Sequence, residues 1–224
     1  QPALGRTLRS IAEHGPREFY EGALAARIAA GLSAAGSPLT ARDLAATEAR
    51  FEAPVQLAYR DLTLCAPPPP TQGLTTLGIM GVLGQLAPGA MASDGADFYH
   101  HLVEAVKQAF LDRGAIADPD FAVAGALGEL LDPMRLSAKA RAIDPLHALA
   151  WPHAHRHGDT AFLAAVDAQG RAACVLQSIY YDWGSGIVVG DTGILWQNRG
   201  AAFSLDPVSP NRLEPGKRPF YTLN

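Results

Sequence analysis

The run from Thr160 to Ser178 can fold in few ways. Thr160 heads an apolar, strand-like stretch, residues 161–166, which ends in Asp167-Ala168-Gln169-Gly170. Those four residues are a turn signal, with a glycine where a tight reversal needs left-handed backbone. A second strand follows, Arg171 to Ser178. The pair reads as a hairpin whose return strand brings Ser178 back towards Thr160. Beyond it lie Tyr180-Tyr181-Asp182-Trp183-Gly184-Ser185-Gly186, a short apolar run at Ile187-Val188-Val189, and a second turn at Gly190-Asp191-Thr192-Gly193. Short strands and turns are the rule from here on.

The preceding chain is different. Its first third is Ala-rich and helical, with Leu4, Leu8, Ile11 and Ala12 at helical spacing. Gly15-Pro16 breaks that helix, and Leu24, Ile28, Ala29 and Leu32 mark the apolar face of a second, ended by Gly36-Ser37-Pro38. Thr40 with Asp43 three residues on predicts a capped third helix. Residues 53–59 and 62–66 read as two strands across a tight Arg60-Asp61 turn. Pro67 to Pro70 then impose an extended, rigid connector without backbone donors, and a helix starts at Thr71-Gln72-Gly73. After a loop at 88–95, residues 98–113 form a long helix. Leu102, Ala105, Val106 and Phe110 face inwards, and Glu104, Lys107, Gln108 and Asp112 read as a solvated face. Weaker helices are expected at 127–131 and 133–142. Residues 144–158 show no periodicity and read as a linker.

The 224 residues are 48% hydrophobic and carry a formal net charge of −4. That is chain enough for a sizeable core. It gives no electrostatic support for a nucleic-acid partner, and no apolar run reaches membrane-spanning length. Cys65 and Cys174, on separate strands, define neither a metal site nor a disulfide, and both read as small buried apolar residues. His153, His155 and His157 alternate, as metal ligands on an extended chain would. They lack a carboxylate or cysteine partner and a rigid frame, so no metal and no cofactor is assigned. Glu104 and Asp112, eight residues apart on a helix face read as exposed, are not taken as an acid–base dyad.

Thr160 is the chemically suggestive residue. A threonine hydroxyl at a strand start becomes a nucleophile if its own α-amine is freed to act as base, which requires scission of the Asp159–Thr160 bond. Ser178 is then placed to orient the hydroxyl; it reads equally well as a strand hydroxyl bonded to backbone.

The chain also resembles the γ-glutamyltransferase (glutathione hydrolase) family. The resemblance is carried before the threonine by Gly15-Pro16-Arg17-Glu18-Phe19-Tyr20-Glu21-Gly22, Leu39-Thr40-Ala41-Arg42-Asp43-Leu44-Ala45, Glu104-Ala105-Val106-Lys107-Gln108-Ala109-Phe110-Leu111-Asp112-Arg113 and Asp118-Pro119. Past it the matching residues are Val166-Asp167-Ala168-Gln169-Gly170, Trp183-Gly184-Ser185-Gly186, Thr192-Gly193-Ile194 and Pro215-Gly216-Lys217-Arg218-Pro219. It implies an α+β fold, part of the αββα sandwich of the N-terminal-nucleophile (Ntn) hydrolases, made as a precursor that cuts itself between Asp159 and Thr160. Residues 1–159 are then the C-terminal part of the large-subunit region, and 160–224 the N-terminal part of the small-subunit region. It implies an enzyme that opens a γ-glutamyl or related acyl-amide bond through a Thr160 acyl-enzyme and passes the acyl group to water or an amine.

The departures from the family pattern bear on specificity. Tyr180 stands where glutamyl-specific members place an Asn for the substrate amine, and Arg199 and Ala202 stand where they place a Gln and an Asp. Tyr221 and Thr222 align with the paired serines for the α-carboxylate. With an arginine gained and a carboxylate lost, the site suits an anion better than an ammonium. That pattern looks more like the oxamate amidohydrolase and cephalosporin acylase branches. A degenerate homologue that binds without chemistry is the alternative of another class. The expected partners are a small acyl-amide substrate and the family's further N- and C-terminal segments, including a Gly-Gly pair that supplies oxyanion donors. One such donor is worth about 2.7–4 kcal/mol, so this stretch on its own is expected to be nearly inactive.

Overall fold

The structure is a computed structural model and describes residues 1–86, 95–123, 125–151 and 160–222. The chain divides into two units, residues 1–51 with 156–199 and residues 52–155 with 200–224. Each unit draws on sequence from both sides of Thr160.

The first unit opens with α1 (Pro2–His14), which ends at Gly15 (φ +86) ahead of a 3-10 turn at Pro16–Phe19. α2 (Ala23–Ala34) follows, and then α3 (Ala41–Ala45) with the predicted capping box between Thr40 and Asp43. α2 supplies the core. Leu24, Ala25, Ile28 and Leu32 are buried with Leu44 and with Val189 from the far side of Thr160. The face of α1 departs from expectation: Leu8 is exposed and the buried residue is Thr7. Ile11 packs against the α2 core, and Thr7 donates to the backbone oxygen of Thr192 at 2.8 Å, so a polar bond to the Gly190–Gly193 turn joins the apolar contact in setting the roll of this helix. That turn presses hard on both helices. A Cβ on Gly31 of α2 would lie 2.8 Å from the Gly190 nitrogen, and one on Gly193 would lie 2.5 Å from the Leu4 nitrogen.

In the second unit β1 (Val55–Tyr59) and β2 (Leu62–Ala66) pair antiparallel, from Val55 opposite Ala66 to Tyr59 opposite Leu62. Arg60 takes φ +54 in the predicted two-residue turn. The proline run is not extended throughout: it turns at Pro69–Pro70, through a cis peptide bond. α4 (Gly73–Gly84) is apolar nearly all round and buried, and packs against α5 (Ala96–Phe110), β1 and α6 (Pro133–Arg141). Val82, Leu83, Ala105, Leu136, Ala140 and Ile143 form one core cluster; Leu74, Ile116 and Leu130 form another.

Three expectations are corrected here. Glu104 and Gln108 are buried, and Asp112 is largely covered. Asp112 pairs with Arg135 and Lys139 of α6, and Lys139 also donates to the Gln108 backbone oxygen. The described part of the expected linker, residues 144–151, is anchored along α5. Cys65 and Cys174 are exposed: Cys65 points to the outer face of the β1–β2 hairpin, and Cys174 lies on a strand that is exposed along its whole length.

Those strands are β3 (Ala161–Val166) and β4 (Ala172–Gln177), in the predicted places, and both are exposed along their whole length. β5 (Val188–Val189) and β6 (Ile194–Leu195) make a third antiparallel pair. Among the described residues, then, the chain combines helices with three separate two-stranded sheets, an α+β arrangement as expected.

Candidate active site

The hairpin register builds the site. Ala161 pairs with Gln177 and Val166 with Ala172. Continued one step, the register sets Thr160 opposite Ser178, at the open end of the hairpin. The reversal at the other end is held locally. Asp167 accepts from the backbone N–H groups of Gln169 and Arg171 and pairs with the Arg171 guanidinium, while Gly170 takes φ +76. The Arg171 amide and guanidinium, with the Gln169 amide, keep the Asp167 carboxyl below its ordinary range despite some opposing desolvation. A slip by one residue would break this set of bonds, so the turn fixes which residues share the open end. Thr160 is exposed and Ser178 half-buried. The Ser178 hydroxyl oxygen accepts from the Tyr180 N–H at 3.0 Å.

Tyr180 and Arg199 are brought together. The Arg199 guanidinium lies over the Tyr180 ring, 4.5 Å from its centre, and Tyr181 stacks against the same ring at 4.6 Å. Such a contact is worth about 0.5–2 kcal/mol, more as water is excluded. Arg199 is only 5% exposed. Tyr180 sits at φ +83, left-handed backbone that costs a bulky residue on the order of 1–3 kcal/mol and gathers at functional sites. Two zips keep this loop in place. Asn198 donates from its N–H to the Ile179 oxygen, and its side-chain oxygen accepts from the Tyr181 N–H. Ser185 donates from N–H and hydroxyl to the Trp196 oxygen. Gly184 is required there, since a Cβ would stand 2.4 Å from that oxygen. The Gly184-Ser185-Gly186 turn read from sequence is therefore a clasp on the loop that carries Tyr180.

Tyr221 and Thr222 belong to the other unit. Tyr221 donates its N–H to the Pro70 oxygen at 2.7 Å and bridges Thr71, which anchors this part of the chain to the end of the proline run. Asp159, the partner in the expected scission, and His153, His155 and His157 lie outside the described residues. Among the described residues no group of three or more His, Cys, Asp or Glu could hold a metal ion, and no helix is long and apolar enough to cross a membrane.

A model of the gamma-glutamyltranspeptidase family matches residues 1–224. The chain belongs to the gamma-glutamyltranspeptidase family. Its relatives in this family include an oxamate amidohydrolase proenzyme from Klebsiella pneumoniae, 46% identical over the whole of this chain and 42% of that protein. A glutathione hydrolase-like YwrD proenzyme from Bacillus subtilis is 42% identical, and the glutathione hydrolase proenzyme of Escherichia coli is 30% identical, over the same shares. Among solved structures, a cephalosporin acylase from Bacillus halodurans superposes with a TM-score of 0.84 at 34% identity, over 99% of this chain and 40% of that one. The chain thus spans about 42% of the length of the curated family members it matches, and its fold is part of an Ntn-hydrolase domain.

Proposed function

We propose that this family member is a self-processing amidohydrolase or acyltransferase with Thr160 as nucleophile. The observation that supports the reading is the β3–β4 register, from Ala161 opposite Gln177 to Val166 opposite Ala172, which, carried one residue further, would put Thr160 opposite Ser178. In maturation, Thr160 Oγ attacks the Asp159 carbonyl carbon. The C–N bond breaks, the acyl group moves from nitrogen to oxygen, and water hydrolyses the ester. This leaves a carboxylate on Asp159 and a free α-amine on Thr160. In turnover, that amine takes the Oγ proton as Oγ attacks the substrate amide carbonyl, then returns a proton to the leaving amine. Water or an acceptor amine resolves the acyl-enzyme. Ser178 steadies Thr160 Oγ by a hydrogen bond.

Arg199 and Tyr180, with Tyr221 and Thr222, are proposed as substrate residues. A cationic, aromatic-backed guanidinium suits a substrate carboxylate, and this favours an oxamate-like or acyl-amide substrate over a γ-glutamyl one. The higher identity to the oxamate amidohydrolase proenzyme agrees with that preference.

Intact mass under denaturing conditions tests the reading on the full-length protein. Two pieces parting between residues 159 and 160 are expected. Thr160→Ala should stay whole and lose at least about 10³-fold in turnover, while Thr160→Ser should keep measurable activity. A wild-type chain that never divides sinks the reading and leaves a non-catalytic binding protein in its place.

A further inference from the structure

Thr75 lies in the first turn of α4, a buried hydroxyl on a largely apolar helix. A threonine in a helix ordinarily turns its hydroxyl to solvent or to the backbone oxygen four residues back. Thr75 Oγ1 does neither: it is buried and meets no hydrogen-bond partner among the described residues. A hydroxyl left in that state forfeits the bond it would make in water, and a methyl of the same shape would serve the core better. Its presence there calls for a partner that is not a protein group.

Thr75 also lines a cavity in the second unit that offers the centre of a water about 10 Å³. One water fits there and an organic ligand does not, since pockets for such ligands run to about 300–1,000 Å³. Most of the wall is apolar, with Leu74, Ile116 and Leu136 among it; the other polar side chains that line it are Asp112 and Lys139. Both have bonding capacity to spare. The Asp112 carboxylate accepts from Arg135 Nη2 at 2.5 Å and Nε at 3.3 Å and is paired with Lys139 Nζ at 3.2 Å, and a carboxylate takes about four such bonds. Lys139 Nζ donates one hydrogen to the Gln108 oxygen at 2.6 Å and directs a second to Asp112, which leaves a third.

We infer that this cavity is a binding site for one buried water, held by the Thr75 hydroxyl, the Asp112 carboxylate and the Lys139 ammonium. The water donates to Asp112 and accepts from Thr75 and Lys139. Three partners is the usual number for a water inside a protein. The charges select water over an ion. Asp112 is outnumbered by Arg135 and Lys139, so a cation meets a net positive surrounding; an anion meets the Asp112 carboxylate in the wall and can accept nothing from it. Thr75 belongs to α4, Asp112 follows the end of α5, and Lys139 belongs to α6. The water is therefore a shared bond between three helices, at a place where their apolar side chains leave a gap. The inference is independent of the self-cleavage reading above.

The full-length protein tests this in two ways. A high-resolution crystal structure should show one density peak about 2.5–3.2 Å from both Thr75 Oγ1 and a carboxylate oxygen of Asp112, and Thr75→Ser, which keeps the hydroxyl, should retain it. Thermal melting of Thr75→Val gives the second reading, and its sign decides. Valine has the shape of threonine and nearly the same helix propensity. In a dry cavity it removes an orphaned hydroxyl, and the melting temperature rises. In a hydrated one it strips the water of one of three partners, and the melting temperature should fall by at least about 2 °C. A cavity without the peak, or a melting temperature unchanged or raised in Thr75→Val, overturns the inference. So does a peak that gives a bromide signal when bromide replaces chloride in the crystal, which would make the occupant an anion.

Discussion

Asp118 is fully buried and is met by Arg218 from 100 positions later, through two guanidinium contacts at 2.7 and 3.1 Å and the Arg218 backbone N–H at 2.7 Å. Burial alone would push its carboxyl up, but these donors and the Asp120 amide hold it below the ordinary value. A folded-state value below the unfolded one means stability that is present above the unfolded value of about 3.9, and is lost as the pH falls through the folded one. Asp118→Asn should therefore lower the stability of the protein at pH 7 by about 3–5 kcal/mol, the usual cost of breaking a buried pair. Denaturant midpoints taken down to pH 3 should show that gap closing. A gap independent of pH would mean that Asp118 acts through shape alone. Neither this pair nor the contact of Glu104 and Lys107 with Leu149 was legible in the sequence. Both depend on a partner with no periodic signal of its own: an irregular stretch at 144–151, and an arginine in a proline-flanked turn. The β3–β4 register was legible because the turn chemistry at 167–170 is local and fixes it without help from the rest of the fold.

At the scale of elements, α2 and the Gly190–Gly193 turn meet backbone to backbone. Alanine ordinarily improves a helix interior over glycine by about 1 kcal/mol. At Gly31 the added methyl would stand 2.8 Å from both the Gly190 nitrogen and Val189 Cγ1. The neighbour is rigid backbone, so overpacking, typically about 1–3 kcal/mol, wins over propensity. Gly31→Ala should lower the melting temperature by several degrees; a rise would show that the turn yields. The turn itself was read from sequence, but its docking was not. On α1 the apolar spacing placed Ile11 on the core side, but neither the exposure of Leu8 nor the bond from the Thr7 hydroxyl to the turn was legible. Strand positions were likewise legible, while the exposure of Cys65 and Cys174 was not. The alternation of residues along a hairpin does not reveal which of its faces will be covered.

At the scale of the molecule, the two units cut across the proposed scission point. Residues 1–51 pack with 160–199, through Val189 in the α2 core and Thr7 on Thr192. The stretch 52–155 packs with 200–222, through Arg218 on Asp118 and Tyr221 on Pro70. Division at 159/160 should therefore leave both pieces in one particle. Size-exclusion chromatography of processed protein should return them together in equal amounts, and 0.5 M salt should not part them, because these contacts are mostly buried and weakly screened. Two separate peaks would contradict the interlocked arrangement.

This interlocking makes the order of events irreversible in a kinetic sense. Before the cut, each unit closes by bringing distant parts of one chain together, a first-order search with a high effective concentration. After the cut, the same contacts must be found by two molecules in solution. A processed protein that is fully denatured refolds at a rate that depends on its own dilution, although nothing in its final structure has changed.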